Sequence, residues 1–457
     1  MRKAVNNMPR ERKGAPLEKC EQYVDILSEM ISCKTVFTSD GKNAEEFDRF
    51  YKVIEENFPL LSSRAKRLTF GSGCFVYVIE GTNANKNIML MSHHDVVDGD
   101  DKWNGDPFVP EKKNGYLYGR GTIDTKTPLF AELMACEELL ANGYDFDGMN
   151  LYIGSSNNEE CSGDGMVLAA QYFKDNDIRF YVVLDEGGAI TEGMIPGVKC
   201  KSAVVAVHEK SRHFYRCSVK SEQAGHGGFG TMAESAAERL SGFITEVKNA
   251  KIYKGAFYPE VKATFERHAS YMSFPLNILF GHMDIFSPII KKIMMKIPAA
   301  SAMLSTSISF QTAFAGDPAE PNSRSKTGEA VMYLRCVREE DLEEGLVKIK
   351  EIAEKYGIEI EETLRDFCPP TDFNDRPYRL TEAVLRENFP DIAVAPFLLT
   401  AGTDARRLGE VADNILRFAP IDLSKEQFAT IHAENEHIGI KNIGECVEFY
   451  KDFIQRI

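Results

Sequence analysis

The feature that most limits what this chain can become is where its polar side chains fall. The apolar run 88–91 breaks off into Ser92-His93-His94-Asp95, the run 151–155 leads into Asn157-Asn158-Glu159-Glu160, and 180–184 ends in Asp185-Glu186. A Gly-punctuated loop delivers Asp124 ahead of Lys126, and a late polar loop holds His432. Apolar runs of this length read as buried strands, which turn residues ordinarily follow. Imidazoles and carboxylates in that place need a chemical reason, and a metal ion supplies one.

The surrounding pattern fixes the architecture that would bring these residues together. In 17–32 the residues Cys20, Tyr23, Val24, Leu27 and Ile31 recur at spacings of three and four, which predicts an amphipathic helix. Further helices are predicted over 44–58, 128–142 and 165–176, alternating with strands at 74–79, 88–91, 151–155 and 180–184. Such alternation predicts an α/β fold with a mostly parallel central sheet flanked by helices. From Ala203 the texture changes. Strands at 203–207, 213–219, 307–313, 330–337 and 358–365 surround helices at 233–247 and 339–356, which predicts an inserted α+β unit. Residues 251–305 within it are rich in Met and Phe. The α/β alternation then resumes and closes on a helix at 443–457, so the domain crossings are expected near 207 and 368.

The 457 residues carry a formal charge of −15, which argues against nucleic acid or an anionic membrane as a partner and leaves small substrates open. No apolar stretch approaches the ~18 residues of a membrane span, and no secretory apolar segment follows the basic start. The ten cysteines show no Cys-x-x-Cys pair. Reduced, mostly buried thiols in a cytoplasm are therefore expected, not disulfides or thiolate zinc sites.

The candidate ligands form an ordered set: His93, Asp124, Glu159 or Glu160, Asp185 and His432. Most fall where a predicted strand meets its loop, and open α/β sheets build their sites outside the carboxyl ends of their strands. His and carboxylate without thiolate suit a catalytic zinc or a related divalent ion. Asp95, two residues after His93, is placed to engage the far imidazole nitrogen and leave the other free for metal. His94 lacks that offset and is expected to be structural.

The strings SHHDVV, WNGDPF, YGRGTID, NNEE, LDEGG, GHGG, GTDAR and HAENE, with the region 322–335, resemble the aminoacylase and carboxypeptidase family of dinuclear zinc peptidases. The order and approximate separations match from about residue 17 to the C-terminus. LDEGGAI and the apolar insertion look most like the branch holding glycine-X carboxypeptidase and the N-acyl amino acid hydrolases. The resemblance implies two zinc ions per subunit, with Co2+ or Mn2+ as substitutes. Asp124 would bridge them, His93 and Asp185 completing one site and Glu160 and His432 the other. Glu159 would be the general base, with Asp95 supporting the site.

It further implies that 1–207 and 369–457 are the two parts of a catalytic domain, and that 208–368 is a lid and dimerisation domain carrying the insertion 251–305. His226 of that lid would donate to the oxyanion, often from the partner subunit of a homodimer. Asn322 and Arg335 would hold the substrate's carbonyl and carboxylate, and Gly402 would shape the substrate floor. Gly227-Gly228, Thr127 and Ser211 depart from the family pattern without removing a ligand. The expected activity is hydrolysis of an amide beside a free carboxylate, as a metallocarboxypeptidase or dipeptidase on short peptides. The alternatives are an N-acyl amino acid hydrolase and a non-catalytic metal- or peptide-binding protein on the same scaffold.

Overall fold

The computed structural model describes residues 11–99, 102–221, 234–317, 319 and 323–457. Its centre is a ten-stranded sheet in which Asn87–His93 lies between Asn150–Ser156 and Phe180–Asp185, all three parallel. Ile415–Arg417 continues parallel beside Phe180–Asp185, and Ala393–Leu399 runs parallel to Ser202–Glu209. Antiparallel strands Cys74–Ile79 and Lys66–Phe70 finish one edge. The expected mostly parallel sheet is thus present, with antiparallel strands at that edge and an antiparallel junction within it between Ile415–Arg417 and Ser202–Glu209.

Residues two apart point to opposite faces of a strand, and both faces here are covered. Ile88 and Leu90 join one apolar cluster while Met89 and Met91 join another; Phe75, Tyr77 and Ile79 part from Cys74, Val76 and Val78 in the same way. This double burial is why these strands read as continuous apolar runs. Each Leu or Ile so buried stabilises the fold by roughly 1.5–3 kcal/mol. The larger cluster packs under helices Leu17–Ser32, Lys126–Ala141 and Ile440–Arg456. Lys126–Ala141 is buried on nearly every side, its lysine included.

The inserted unit is a four-stranded antiparallel sheet in the order Ser307–Ala315, Thr327–Arg335, Arg212–Lys220, Ile358–Asp366. Helices Ala236–Asn249 and Glu339–Tyr356 cover it. The latter stops at Gly357, whose φ of +64° reverses the chain as helix caps commonly do.

The segment 251–305 behaves differently from the sheet that encloses it in sequence. Its helix Pro259–His268 packs on strand Ala393–Leu399, which pairs only with Ser202–Glu209 among the described strands, and Thr264 Oγ1 donates to the Pro396 carbonyl at 2.6 Å. His208 and Glu260 meet at 2.8 Å and strengthen the same junction. Short helices Leu276–Gly281, Met283–Met294 and Pro298–Ala302 follow.

A three-stranded sheet of Glu111–Lys113, Tyr116–Tyr118 and His437–Gly439 was not legible in the sequence. It ties the late His432 loop to the loop that carries Asp124.

Candidate metal centre and adjoining cavity

His93 is the last residue of its strand, and Glu159 and Glu160 follow the end of the neighbouring parallel strand. The site therefore forms at the carboxyl edge of the sheet. One ligand atom each from His93, Asp124 and Glu160 can be chosen so that all lie within 4.8 Å of one another. Asp124 stands between two imidazoles: His93 Nε2 is 3.0 Å from its Oδ1, and His432 Nε2 is 3.0 Å from its Oδ2. A carboxylate with a different ring nitrogen on each oxygen has the form of a bridging ligand. His432 Nε2 also lies 3.1 Å from Glu160 Oε1, yet that buried oxygen has no hydrogen bond of acceptable geometry. An unsatisfied carboxylate oxygen beside converging imidazole and carboxylate donors fits a divalent cation, and that donor set suits zinc.

The supporting contacts explain how the donors are held. His93 Nδ1 meets the Asp95 carbonyl oxygen at 2.9 Å, with the Asp95 carboxylate at 3.4 Å. The expected return of Asp95 to the far nitrogen is thus made chiefly by its backbone. Its carboxylate accepts instead from the Glu159 and Glu160 N–H groups, each at 3.1 Å. One buried Asp therefore orients His93 and fixes the loop of both glutamates. Thr125 Oγ1 bonds both the N–H and the carbonyl of His93, locking the Asp124 loop to the strand end.

Glu436, given no role by the sequence reading, is fully buried and accepts from Arg120 at 2.7 Å, Gly121 N–H at 3.2 Å, Ile123 N–H at 2.6 Å and Asp124 N–H at 3.1 Å. It couples the Asp124 loop to the chain four residues beyond His432, and its place within HAENE was the available signal. His432 itself holds a left-handed backbone (φ +58°), which costs a non-glycine residue about 1–3 kcal/mol and persists where surroundings enforce it.

Lys126 turns away from the cluster and donates to the Met30 and Cys33 carbonyls at 3.0 and 2.8 Å. His94 is structural as expected, stacked between Phe50 and Phe75 and 2.9 Å from Ser155 Oγ.

Asp185 also ends its strand, but its oxygens accept from the Glu186 and Ala405 N–H groups, both at 2.9 Å. Glu186, not singled out in the sequence, lines the cavity with His93, Asp124 and Glu159, whereas Asp185 is not among the lining residues. Burial, then Asp185 and Asp124, push Glu186 well above its ordinary value. Burial pushes Glu159 up to about 8, with Asp404, Asp95 and Asp124 adding to the rise against the opposing pull of His93. Burial alone would lower His93, but its bonds with Asp124 and Asp95 hold it well above the usual imidazole range.

Arg335 ends strand Thr327–Arg335 and donates to the Lys210 carbonyl at 3.2 Å. Among the described residues no carboxylate pairs with its guanidinium. A Cβ on Gly402 would lie 2.4 Å from Arg406 Nη1 and 3.3 Å from Arg335 Nη2, so the glycine admits both cations. Arg406 pairs with Asp366 at 2.9 Å rather than with Asp404. His226 and Asn322 lie outside the described residues.

A cavity of about 870 Å³ adjoins the cluster. Beyond His93, Asp124, Glu159, Glu160, Glu186 and His432, its wall is predominantly apolar and includes Phe265, Leu279, Phe280, Ile290, Met294 and Ala300 from the insertion.

The family profile described as "Peptidase family M20/M25/M40" matches residues 89–456. The N-fatty-acyl-amino acid synthase/hydrolase PM20D1 of Xenopus tropicalis is 28% identical over 444 residues, covering 95% of this chain and 86% of its own length. The probable carboxypeptidase S-like 2 of Dictyostelium discoideum is 26% identical over 449 residues, covering 94% and 85%. The M20 family metallo-carboxypeptidase Sso-CP2 from Sulfolobus solfataricus shares the fold with a TM-score of 0.67 at 17% identity, covering 95% of this chain and 98% of its own.

Proposed function

The chain belongs to peptidase family M20/M25/M40, and from that premise we propose that it is a metal-dependent hydrolase of N-acyl amino acids with a long apolar acyl group. The observation that carries this reading is the cavity of about 870 Å³ whose one polar cluster is the metal centre and whose remaining wall is mostly apolar. A volume in the upper part of the ~300–1,000 Å³ range of ligand pockets, with few polar groups, suits a hydrocarbon chain anchored by one polar head. The Xenopus relative's name supports the same chemistry.

On the family resemblance Asp124 would be shared by two zinc ions, with His93 and Asp185 holding one and Glu160 and His432 the other. Co2+ or Mn2+ would substitute. Glu186 competes with Asp185 for its position because Glu186 lines the cavity and Asp185 does not. Metal bound there would acidify a water and polarise the scissile carbonyl. Glu159 takes the proton of the attacking water and returns it to the leaving amine, a task suited to a carboxylate raised towards neutrality. Arg335, which lacks an acidic partner among the described residues, binds the free carboxylate of the amino-acid moiety, with planar guanidinium geometry suited to it. His226 is assigned as the oxyanion donor and Asn322 as a carbonyl contact on the family resemblance.

A short peptide ending in a free carboxylate would use Arg335 in the same way, and the carboxypeptidase S-like relative supports that second reading. A homodimer through the lid is supported by the exposed edge strand Ser307–Ala315, where Phe314 is 62% exposed. A cytoplasmic location is supported by ten free cysteines. No helix among the described residues is long and apolar enough to cross a membrane.

The deciding experiment compares zinc-loaded protein on an N-long-chain-acyl amino acid, the matching acylated amine without the carboxylate, and a dipeptide of the same amino acid. The reading expects the first to be turned over best and the second scarcely at all. Preference for the dipeptide would favour the second reading, and no turnover of any would leave only a binding role.

A further inference from the structure

The helix Met283–Met294 is apolar on two sides, and among the described residues only one of them is well covered. Met283, Ile290 and Met294 are buried, and Ile290 and Met294 line the cavity. Away from these, Ile285, Ile289 and Ile293 recur every four residues, with Ile297 four residues further on, just past the helix end; they are 70%, 60%, 57% and 51% exposed, and the row turns from the far side of the helix towards the cavity. Spacing by four keeps side chains on one stripe of a helix. Solvated helix faces normally carry charge, and a contiguous exposed apolar stripe marks a surface that meets something else.

Two observations say what that is. The stripe runs beside a second exposed row, Asp284, Pro288, Lys292 and Lys296, in which Asp284 is already paired with Lys262. The stretch 271–303 holds three lysines and one acidic residue, in a chain whose formal charge is −15. The apolar stripe is therefore flanked by local positive charge in a chain that is acidic as a whole. The same stripe also reaches the cavity, because Ile293 and Ile297 both line it while remaining more than half exposed. The cavity thus opens at the rim of the apolar face.

We infer that this face docks on an anionic lipid surface, with the isoleucine stripe entering the headgroup boundary and Lys292 and Lys296 meeting the lipid charge. An apolar stripe with lysines beside it is the arrangement of helices that lie in the membrane interface. Docked so, the protein sets the cavity mouth against the acyl region, and a chain-bearing molecule passes from lipid into the cavity with little exposure to water. The inference concerns where the protein works and stands on the exposed face, whether or not the substrate is an N-acyl amino acid. The overall negative charge, which disfavours an anionic membrane as a general partner, does not describe this local face.

The test is flotation of the full, zinc-loaded chain with phosphatidylcholine vesicles with and without phosphatidylglycerol. Wild type is expected to float with the anionic vesicles and to be released as salt is raised. I285S/I289S, two positions outside the cavity lining, is expected to bind about tenfold more weakly or worse. K292Q/K296Q is expected to lose about fivefold per lysine on anionic vesicles and little on neutral ones. Unchanged circular dichroism and thermal unfolding would show that the variants fold. Absence of wild-type flotation, or flotation unaffected by I285S/I289S, would overturn the inference. So would a lipid-free dimer that I285S/I289S converts to monomer, because the stripe would then be covered by a second copy.

Discussion

The two ends of the cavity are built on opposite principles. At the metal end individual groups have fixed partners: the His93 ring on the Asp95 carbonyl, the Glu159 and Glu160 N–H groups on the Asp95 carboxylate, and the Asp124 N–H on the Glu436 carboxylate. At the insertion end Phe265, Leu279, Phe280, Ile290 and Met294 contribute bulk and no directional contact. Displacing a donor by 1 Å ruins the first end, while the second responds to volume. Chemistry and selection are therefore separable, and substitutions at the two ends should fail in different ways.

The sharpest break comes at the base. Glu159→Gln should lower kcat by roughly 10²–10⁴-fold or more with metal content intact, measured by steady-state kinetics beside elemental analysis. Undiminished turnover would remove Glu159 from its role.

Positioning residues should produce a smaller, different defect. Glu436→Gln weakens the anchor of the Asp124 loop and should cost about 10–100-fold in metal affinity. Excess zinc should restore much of the kcat, which would not follow if Glu436 acted in the chemistry. Asp185→Asn and Glu186→Gln, compared by bound metal, identify which carboxylate completes the set.

At the other end Ala300→Phe should reduce kcat/KM for long acyl chains about tenfold or more and spare short ones, because added bulk removes room for the chain. An equal loss on both would show that the two ends are not separable.

The pH profile addresses the metal end again. Glu159 must be ionised to accept a proton, so kcat/KM should rise with pH. Cations nearby would pull its value down from about 8, placing the acid limb between 4.5 and about 8.

The smallest effect is expected at Glu132, buried beneath Ser92 and held well above its ordinary value first by burial and further by Asp185. The native state keeps a proton there that the unfolded chain releases. Its stability contribution is therefore present below the unfolded value near 4.5 and lost as pH rises towards the folded one. Glu132→Gln should flatten that slope and raise Tm at pH 8 by about 2 °C.

The same contrast explains how much the sequence disclosed. The double-sided burial of 88–91 and 151–155 made the parallel centre readable; His93 and the Glu159-Glu160 pair were visible because polar groups end apolar runs there, Asp124 because a Gly-punctuated loop carries it, and the choice of Glu160 as ligand came from the family resemblance. Glu436 was not, because its role depends on four partners in the loop Arg120–Asp124, more than 300 residues away. Glu186 was passed over because adjacent carboxylates point different ways, and only the fold sends Asp185 to the Ala405 N–H. The insertion showed its composition but not its placement. Its Met and Phe content suited a core, an interface or a pocket wall, and packing on Ala393–Leu399 decided the matter.

The central claim is that a fixed metal end cleaves what an apolar end selects. It is tested most directly by kcat/KM for one amino acid acylated with a saturated series from acetyl upward. Each added methylene that enters the cavity should raise kcat/KM by up to about fourfold, from about 0.8 kcal/mol per CH₂, until the cavity is filled. A flat series, or one that falls from acetyl onward, would contradict it.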